Sequence, residues 1–511
     1  MMRRLPVYVL LFAVYPVVFL YAQNLEGQVT PRELVLPLLV CVAGALLVGA
    51  VFWLVFRDIH RAALATSVVI VLVFSFGHVE DAIDPIGVGY VEGLLLVQSF
   101  LLLAGAIVAL VRFKHGSHKM ASVLNPVAFI LCVINIVPIV RYEMGTTDGR
   151  LEAAFAPAVH VGSSDAAERD IYYLIFDRYA ADRTLRDVYG FDNGDFSEWL
   201  EDSGFYVARD SLANYPKTTH SLASSLNMTY LEELASDVGR DSGDWDPLTD
   251  ALARSRVATS LTRMGYRYYH VGSWWPGTGV DPAADENVVF DSPIEFRDIL
   301  FDSTIVPALG GWLGLRDRTS RELREYRRVR FQLDALERIS RDPAPTFTFA
   351  HFTLPHPPYV FDADGRFVPP EEAARMGRSE AYLGQLAFAN HAIEEVVGTL
   401  ISNPTVEDPI IVLQSDEGPH PIRLAQDEGG FVWTEASDAE LGEKLRIFNA
   451  YFLPGLDDPG LYETISPVNS FRLILSRYFD ADLPLLQDRT FVFERNAYPY
   501  RFTDVTERLR A

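Results

Sequence analysis

Five long apolar runs stand at the head of this 511-residue chain, at roughly residues 5–22, 34–56, 62–79, 90–111 and 121–140. Each is about long enough to cross ~30 Å of hydrocarbon as a helix. A backbone in lipid has to satisfy its own hydrogen bonds, so runs of this length specify a helical bundle. The first run, Leu5 to Ala22, is of signal-peptide length, but similar runs follow it and no small-residue cleavage site is evident after it. It is read as the first of five spans.

The loops set the orientation. Arg3/Arg4, Arg57/Arg61 and Arg112/Lys114/Lys119 fall on one side. Glu26, Glu80/Asp81/Asp84 and Glu143 fall on the other, where Arg32 and Arg141 are the basic residues. The positive-inside rule places the amino terminus in the cytoplasm, and five spans then place everything after Tyr142 outside it. Were one run a buried soluble helix instead, the remainder would lie inside.

Charge separates the two parts. Residues 1–145 hold 9 of the 44 Lys/Arg and 8 of the 68 Asp/Glu, which leaves 35 and 60 for the rest and a net of −25 there. Such an acidic surface argues against nucleic acid as a partner. It does not exclude an anionic substrate, because a bound metal inverts the local field. The two cysteines, Cys41 and Cys132, lie inside apolar runs. The acidic part therefore has no disulfide framework, no four-cysteine zinc site and no cysteine nucleophile. The expected organisation is a five-span domain at 1–142, a linker at 143–168, a catalytic domain at 169–480 and a tail at 481–511 packed on it.

After the linker, Asp170 to Phe176 reads as a buried strand ending at Asp177. Further strands are expected at Tyr266–Val271, Phe347–Phe352, around Ile411–Gln414 and at Leu445–Leu453. Helices are expected at 184–204, 219–227, 252–264, 317–340, 379–401 and 467–479. Strands alternating with helices predict an α/β domain with a mainly parallel sheet covered on both faces. The run Ile411-Val412-Leu413-Gln414-Ser415-Asp416-Glu417-Gly418 is the most informative. A β-branched strand delivers two carboxylates to the carboxyl edge of the sheet, where open α/β folds bind ligands. Adjacent acids repel unless something positive lies between them, and a divalent cation is the obvious candidate.

Asp177 alone would pass for a helix cap or a surface acid. With Asp416 and Glu417 it makes two acidic strand ends on one sheet edge. Thr218 sits in Asn214-Tyr215-Pro216-Lys217-Thr218-Thr219-His220-Ser221, just before a helix of small residues. Backbone N–H groups there favour an anion. The threonine is either an N-cap or a nucleophile activated by a metal, and both readings stay open. Asn214 and Lys217 beside it are candidate substrate contacts. His351 and His356 flank Phe-Thr-Leu-Pro at the end of a strand, in a loop stiffened by Pro355, Pro357 and Pro358. They are read as site residues able to bind metal or meet a charged leaving group. His420 and His270 are weaker candidates, the first for substrate contact.

Together these residues resemble the alkaline phosphatase/sulfatase superfamily, and in particular its membrane-anchored branch. That branch includes lipoteichoic acid synthases and lipid A phosphoethanolamine transferases, which also carry five spans before an extracytoplasmic catalytic domain. The matching residues occur in the family's order: Asp177 as the first acidic ligand, Thr218 as nucleophile three residues before Ser221, His351/His356 as the paired histidines, and Asp416 with Gly418 as the late metal motif. Two departures accompany the resemblance. Thr218 stands where true sulfatases carry a formylglycine-forming residue, which argues against that route of sulfate hydrolysis. Glu417 stands where the family usually has histidine.

The resemblance implies first-site ligands Asp177, Thr218, Asp416 and Glu417. An all-oxygen set favours manganese or magnesium, with zinc as the alternative. It also implies an alkaline phosphatase-like fold and a covalent phosphothreonine route, with Thr218, His351 and His356 as catalytic residues. A phospho-alcohol group would move from a membrane phospholipid to an envelope glycan or lipid. The alternatives are a phosphodiesterase or phosphatase using water, and a non-catalytic protein that binds an envelope polymer.

Overall fold

The computed structural model describes residues 5–23, 34–83, 91–112, 117–145, 169–290, 300–301, 303–313, 321–402 and 407–510. Arg3/Arg4, Glu26, Arg32, Asp84, Lys114 and the linker beyond Gly145 lie outside the described residues. The chain divides into two compact units, one of residues 1–149 with 291–318, the other of residues 150–290 with 319–511.

The first unit is a bundle of apolar helices: α1 (Tyr8–Gln23), α2 (Val35–Phe56), α3 (Ile59–Ile83), α4 (Val91–Arg112) and α5 (Ser117–Gly145). Four stretches within α2 to α5 are long and apolar enough to cross a membrane: Val35–Phe56, Ile59–Glu80, Gly93–Arg112 and His118–Val140. α1 is shorter than the run that predicts it, with 16 residues from Tyr8 to Gln23. That is about 24 Å of helix, less than a full hydrocarbon crossing. It buries Tyr8, Ala13, Val17 and Tyr21 against its neighbours. Ala63, Ala121 and Ala128 let backbones approach closely around Tyr8. Asn125 of α5 fastens the start of α1, accepting from Tyr8 N at 2.9 Å and donating to Leu5 O at 3.0 Å.

The second unit is built on a seven-stranded sheet: β1 (Ile171–Phe176), β2 (Tyr206–Val207), β3 (Arg267–Val271), β4 (Glu286–Val288), β5 (Thr346–Phe352), β6 (Ile410–Gln414) and β7 (Asn449–Phe452). The order is β2-β7-β6-β1-β5-β3-β4. β1 pairs in parallel with β5 and β6, and β5, β3 and β4 continue the parallel run. β7 alone opposes its neighbours. β1 alternates as a strand buried on both faces should. Ile171, Tyr173 and Ile175 pack under Leu222, Leu226 and Phe471, while Tyr172, Leu174 and Phe176 pack under Leu336, Leu386 and Ile393. The first set of covers comes from the helices Thr218–Asn227 and Pro467–Tyr478, the second from Arg321–Ile339 and Arg378–Ile401. This is the expected multi-pass helical part followed by an α/β domain with a mainly parallel sheet and helices on both faces. Near the carboxyl terminus, strands β8 (Phe491–Phe493) and β9 (Phe502–Asp504) form a hairpin, and Val492 and Phe493 bury against Leu212 and Leu445.

Candidate metal centre

The register of the central strands gathers the chemistry. Ile175 of β1 lies level with His351 of β5 on one side and Gln414 of β6 on the other. Parallel strands therefore end together, and the residues just past them share one edge. Asp177 N donates to Phe352 O at 3.0 Å, which holds the two strand ends side by side. Ligand atoms of Asp177, His351 and Asp416 all lie within 4.8 Å of one another. All three side chains are buried. His351 Nε2 and His356 Nε2 each stand 3.9 Å from Asp177 Oδ2.

Asp177 Oδ1, His351 Nε2 and both carboxylate oxygens of Asp416 are buried without a hydrogen-bond partner. A buried polar group without a partner costs roughly 1–3 kcal/mol, and a charged one more. The three residues that carry these atoms each bring a ligand atom within 4.8 Å of the others, so the cluster could bind a cation. The donor set of two carboxylates and one imidazole suits a divalent metal.

Electrostatics point the same way. Burial, then the Asp416 charge, pushes the Asp177 carboxyl well above the usual range. Burial, then Glu417, raises Asp416 to about 7, although the adjacent Thr218 hydroxyl and Lys444 pull it back. Burial lowers His351 to about 3, and a second histidine, His270, adds to the effect. His356 is held well below its ordinary value by burial and then by Arg178. Imidazoles kept neutral by burial beside crowded carboxylates offer a free lone pair, to a metal or to a proton in transit.

Thr218 opens the helix Thr218–Asn227. Its hydroxyl lies close enough to Asp416 to favour the charged carboxylate, without completing a hydrogen bond. Ser221 Oγ, one turn on, is buried and unpartnered. Lys217 Nζ bonds Glu428 Oε1 at 2.6 Å. Asn214 is committed elsewhere: its Nδ2 donates to Arg489 O and its Oδ1 accepts from Val468 N, each at 2.8 Å. His420 Nε2 faces Glu417 Oε1 at 3.7 Å, and burial followed by Lys444 lowers it to about 3.

Glu417 is not among the three clustered ligands. Its Oε1 lies 2.5 Å from Lys444 Nζ and 3.4 Å from Arg178 Nε. Burial alone would raise this carboxyl, but Lys444 holds it well below the usual range. Burial in turn lowers Lys444 to about 8. Lys444 Nζ also donates to Gly418 O at 3.0 Å, and Gly418 N donates to Lys444 O at 2.7 Å. A β-carbon at Gly418 would stand 2.4 Å from Glu443 O, so the glycine is needed for this approach. The Asp-Glu-Gly run thus splits its duties: Asp416 enters the cluster, Glu417 takes the lysine, and Gly418 lets the lysine's backbone in.

Two groups at the site escape a reading of motifs. Lys444 belongs to the helix Asp438–Leu445 and shares its buried face with Leu441 and Leu445. A lysine on an apolar stripe is the signal that marks it. Arg178 follows Asp177 with a left-handed φ of 65°, a costly conformation for a residue with a side chain. Behind His351, Thr278 Oγ1 meets its Nδ1 at 2.6 Å and Gln332 Nε2 donates to its carbonyl at 2.9 Å. His270 lies behind these, with its Nε2 2.9 Å from Thr278 O, so it supports the site without entering it.

No family model matches the chain, and no curated protein matches it. Solved structures that resemble it include the periplasmic domain of EcEptC from Escherichia coli in complex with Zn, at 10% identity and a TM-score of 0.44, covering 68% of this chain and 96% of that one. The integral membrane lipooligosaccharide phosphoethanolamine transferase A from Neisseria meningitidis covers 93% of this chain and 95% of its own, at 10% identity and a TM-score of 0.39. BT1596, a 2-O GAG sulfatase, covers 64% and 78%, at 13% identity and a TM-score of 0.40. Likeness at this level assigns no chemistry, which has to come from the residues themselves.

Proposed function

We propose that this protein is a membrane-anchored, metal-dependent phospho-transferase working on cell-envelope phosphoesters, with Thr218 as its nucleophile. The observation that carries the reading is the buried cluster of Asp177, His351 and Asp416, whose ligand atoms lie within 4.8 Å of one another and include polar atoms without a hydrogen-bond partner, beside the Thr218 hydroxyl. The reading takes the second unit to lie outside the cytoplasm, as the loop charges suggest, with the membrane part at 1–142, a linker at 143–168, the catalytic domain starting at 169 and the tail at 481–511.

Asp177, His351 and Asp416, with Thr218 Oγ1, are the residues that would hold the ion. Replacing Glu417 by His351 in that set brings in a nitrogen donor, which moves the preference from magnesium towards zinc or manganese. A divalent ion bound there supplies Lewis-acid polarisation and eases ionisation of the hydroxyl. Thr218 Oγ1 attacks phosphorus, an oxygen–phosphorus bond forms, and the bond to the leaving alcohol breaks. His356 Nδ1 lies against Pro357 O, and a carbonyl only accepts, so this nitrogen carries the ring proton and Nε2 is an acceptor. Nε2 takes the threonine proton and returns it to the leaving oxygen. An acceptor alcohol then attacks the phosphothreonine and gives its proton to the same nitrogen; the bond from phosphorus to Thr218 Oγ1 breaks, and that proton passes to Oγ1 to restore the hydroxyl. Lys444 and Arg178 hold fixed positive charge beside the reacting phosphate, and the helix amino terminus at Thr218 adds backbone donors.

The bilayer favours a phospholipid donor and a lipid or glycan acceptor. The test is to supply headgroup-labelled phospholipid to the reconstituted protein with manganese or zinc. Metal-dependent label on a lipid or glycan acceptor supports transfer. Label only in free solution makes the protein a hydrolase, and no turnover by a wild type that matches Thr218→Ala ends the enzymatic reading.

A further inference from the structure

The segment 291–318 interrupts the soluble half of the sequence but clusters with the membrane helices. Its backbone is spliced onto α3: Ile305 N donates to Val73 O at 3.0 Å, and Gly77 N donates to Ser303 O at 3.1 Å. A β-carbon on Gly77 would stand 2.8 Å from Ser303 Cα, so a side chain there would push the segment off. Ile305 and Ala308 pack with Phe76, Leu95 and Leu96, and Leu300 packs with Val17 and Tyr21. These contacts fall at the ends of α1 and α3 and at the start of α4, which is one side of an alternating bundle. Val73 and Gly77 precede the polar end of their span at Glu80, and Leu95 follows the start of its span at Gly93. At 1.5 Å per residue the segment sits about 3–10 Å inside the polar boundary.

Irregular backbone at that depth has to satisfy its own polar groups. Thr304 Oγ1 donates to Phe301 O at 2.6 Å and accepts from Val306 N at 3.2 Å, while Ser303 Oγ donates to Leu300 O at 2.9 Å. Residues 303–313 contain no charged side chain. What they leave uncovered is apolar: Trp312 is 74% exposed, and Leu313, Phe301 and Val306 are exposed with it. The adjoining span α4 likewise exposes Leu94, Val97 and Leu101.

We propose that residues 303–313 are a second membrane anchor, docked on α3 and α4, whose exposed face is covered by lipid at the headgroup–acyl boundary. Tryptophan and leucine at that depth suit this boundary, where an amphipathic ring is favoured. The chain then crosses between its two units three times, near 149, 290 and 318. A single cut in the linker at 150–165 would not free the soluble unit from the membrane.

The test uses the full chain with a protease site placed in that linker, reconstituted in phosphatidylethanolamine/phosphatidylglycerol vesicles. After cleavage and a high-salt wash the carboxyl-terminal fragment is expected to sediment with the vesicles. In a Cys41→Ala/Cys132→Ala background, Trp312→Cys carries an environment-sensitive fluorophore, and Val188→Cys, on an exposed position of the soluble unit, is the control. The label at 312 should emit blue-shifted light and be quenched by brominated acyl chains, and the label at 188 should do neither. Release of the fragment to the supernatant overturns the proposal. So does water-like emission at 312, and so does blue-shifted emission without quenching, which would mean that protein covers the face.

Discussion

Removing the charge of Lys444 is the sharpest perturbation of the site's electrostatics. Lys444 is fully buried, Glu417 is 5% exposed, and their charged atoms are 2.5 Å apart. At an effective dielectric of about 20 the gross attraction is roughly 7 kcal/mol. Most of that offsets desolvation, and breaking a buried pair from one side typically costs about 3–5 kcal/mol. Arg178, 3.4 Å from the same oxygen, remains in Lys444→Met and brings the expected loss to the lower end, about 3 kcal/mol. For a unit of this size that lowers its melting transition by roughly 4 °C. Glu417→Gln, which strands the buried ammonium, should do similar damage. The double variant should lose about 4 kcal/mol rather than the roughly 6 of simple addition, a coupling energy of about 2 kcal/mol. The assay is calorimetry of the solubilised full chain with all four species measured in the same detergent. Two harmless single variants, or strictly additive losses, would refute the pairing.

Thr218→Ala should abolish turnover, by at least about a thousandfold, while leaving metal stoichiometry near wild type, and Thr218→Ser should retain part of the rate. Asp416 is raised to about 7 in the folded chain from an ordinary 3.8. Its contribution is therefore present below about pH 4 and lost as pH rises through about 7, so the metal-free protein should melt earlier at about pH 8 than at about pH 6. Asp416→Asn or saturating metal should flatten that profile; an unchanged slope in Asp416→Asn would contradict it. Thr278→Val removes the hydroxyl that meets His351 Nδ1 and should weaken metal binding about 10–100-fold with little change in melting temperature. Thr278→Ser should restore it. Equal affinity in all three, by competition titration, would leave Thr278 without a role at the metal.

Much of the scaffold was legible because burial on both faces leaves a plain signature. Ile171–Phe176 and Ile410–Leu413 are unbroken apolar runs, each followed shortly by an acid, and their parallel pairing places those acids on one edge. His351 fell on that edge for the same reason. Glu417 was harder. Two adjacent acids signalled a nearby positive charge, and a metal was the natural inference for both. The structure supplies a lysine to one of them from a helix 27 residues on, and nothing local to the strand announces a tertiary partner. The β-rich run Leu445–Leu453 reads as a strand from its first residue, but Leu445 ends the helix Asp438–Leu445 and the strand begins at Asn449. Asn214 looked like a substrate contact by adjacency to Thr218, yet both its polar atoms hold backbone groups far away in sequence. The 303–313 segment was invisible for a different reason: it is too short to cross a membrane, and its place depends on a glycine in α3 more than two hundred residues earlier.

The central claim is that Thr218 becomes phosphorylated in a site completed by Asp177, His351 and Asp416. The direct test is to quench the reconstituted protein during turnover of a phospholipid, digest it and map the adducts by mass spectrometry. A metal-dependent phosphate-ester adduct is expected on the peptide carrying Thr218. It should be absent in Thr218→Ala and lost on chelation. Steady turnover with no adduct on that peptide, or an adduct that forms equally in an Asp177→Asn/Asp416→Asn double variant, would contradict it.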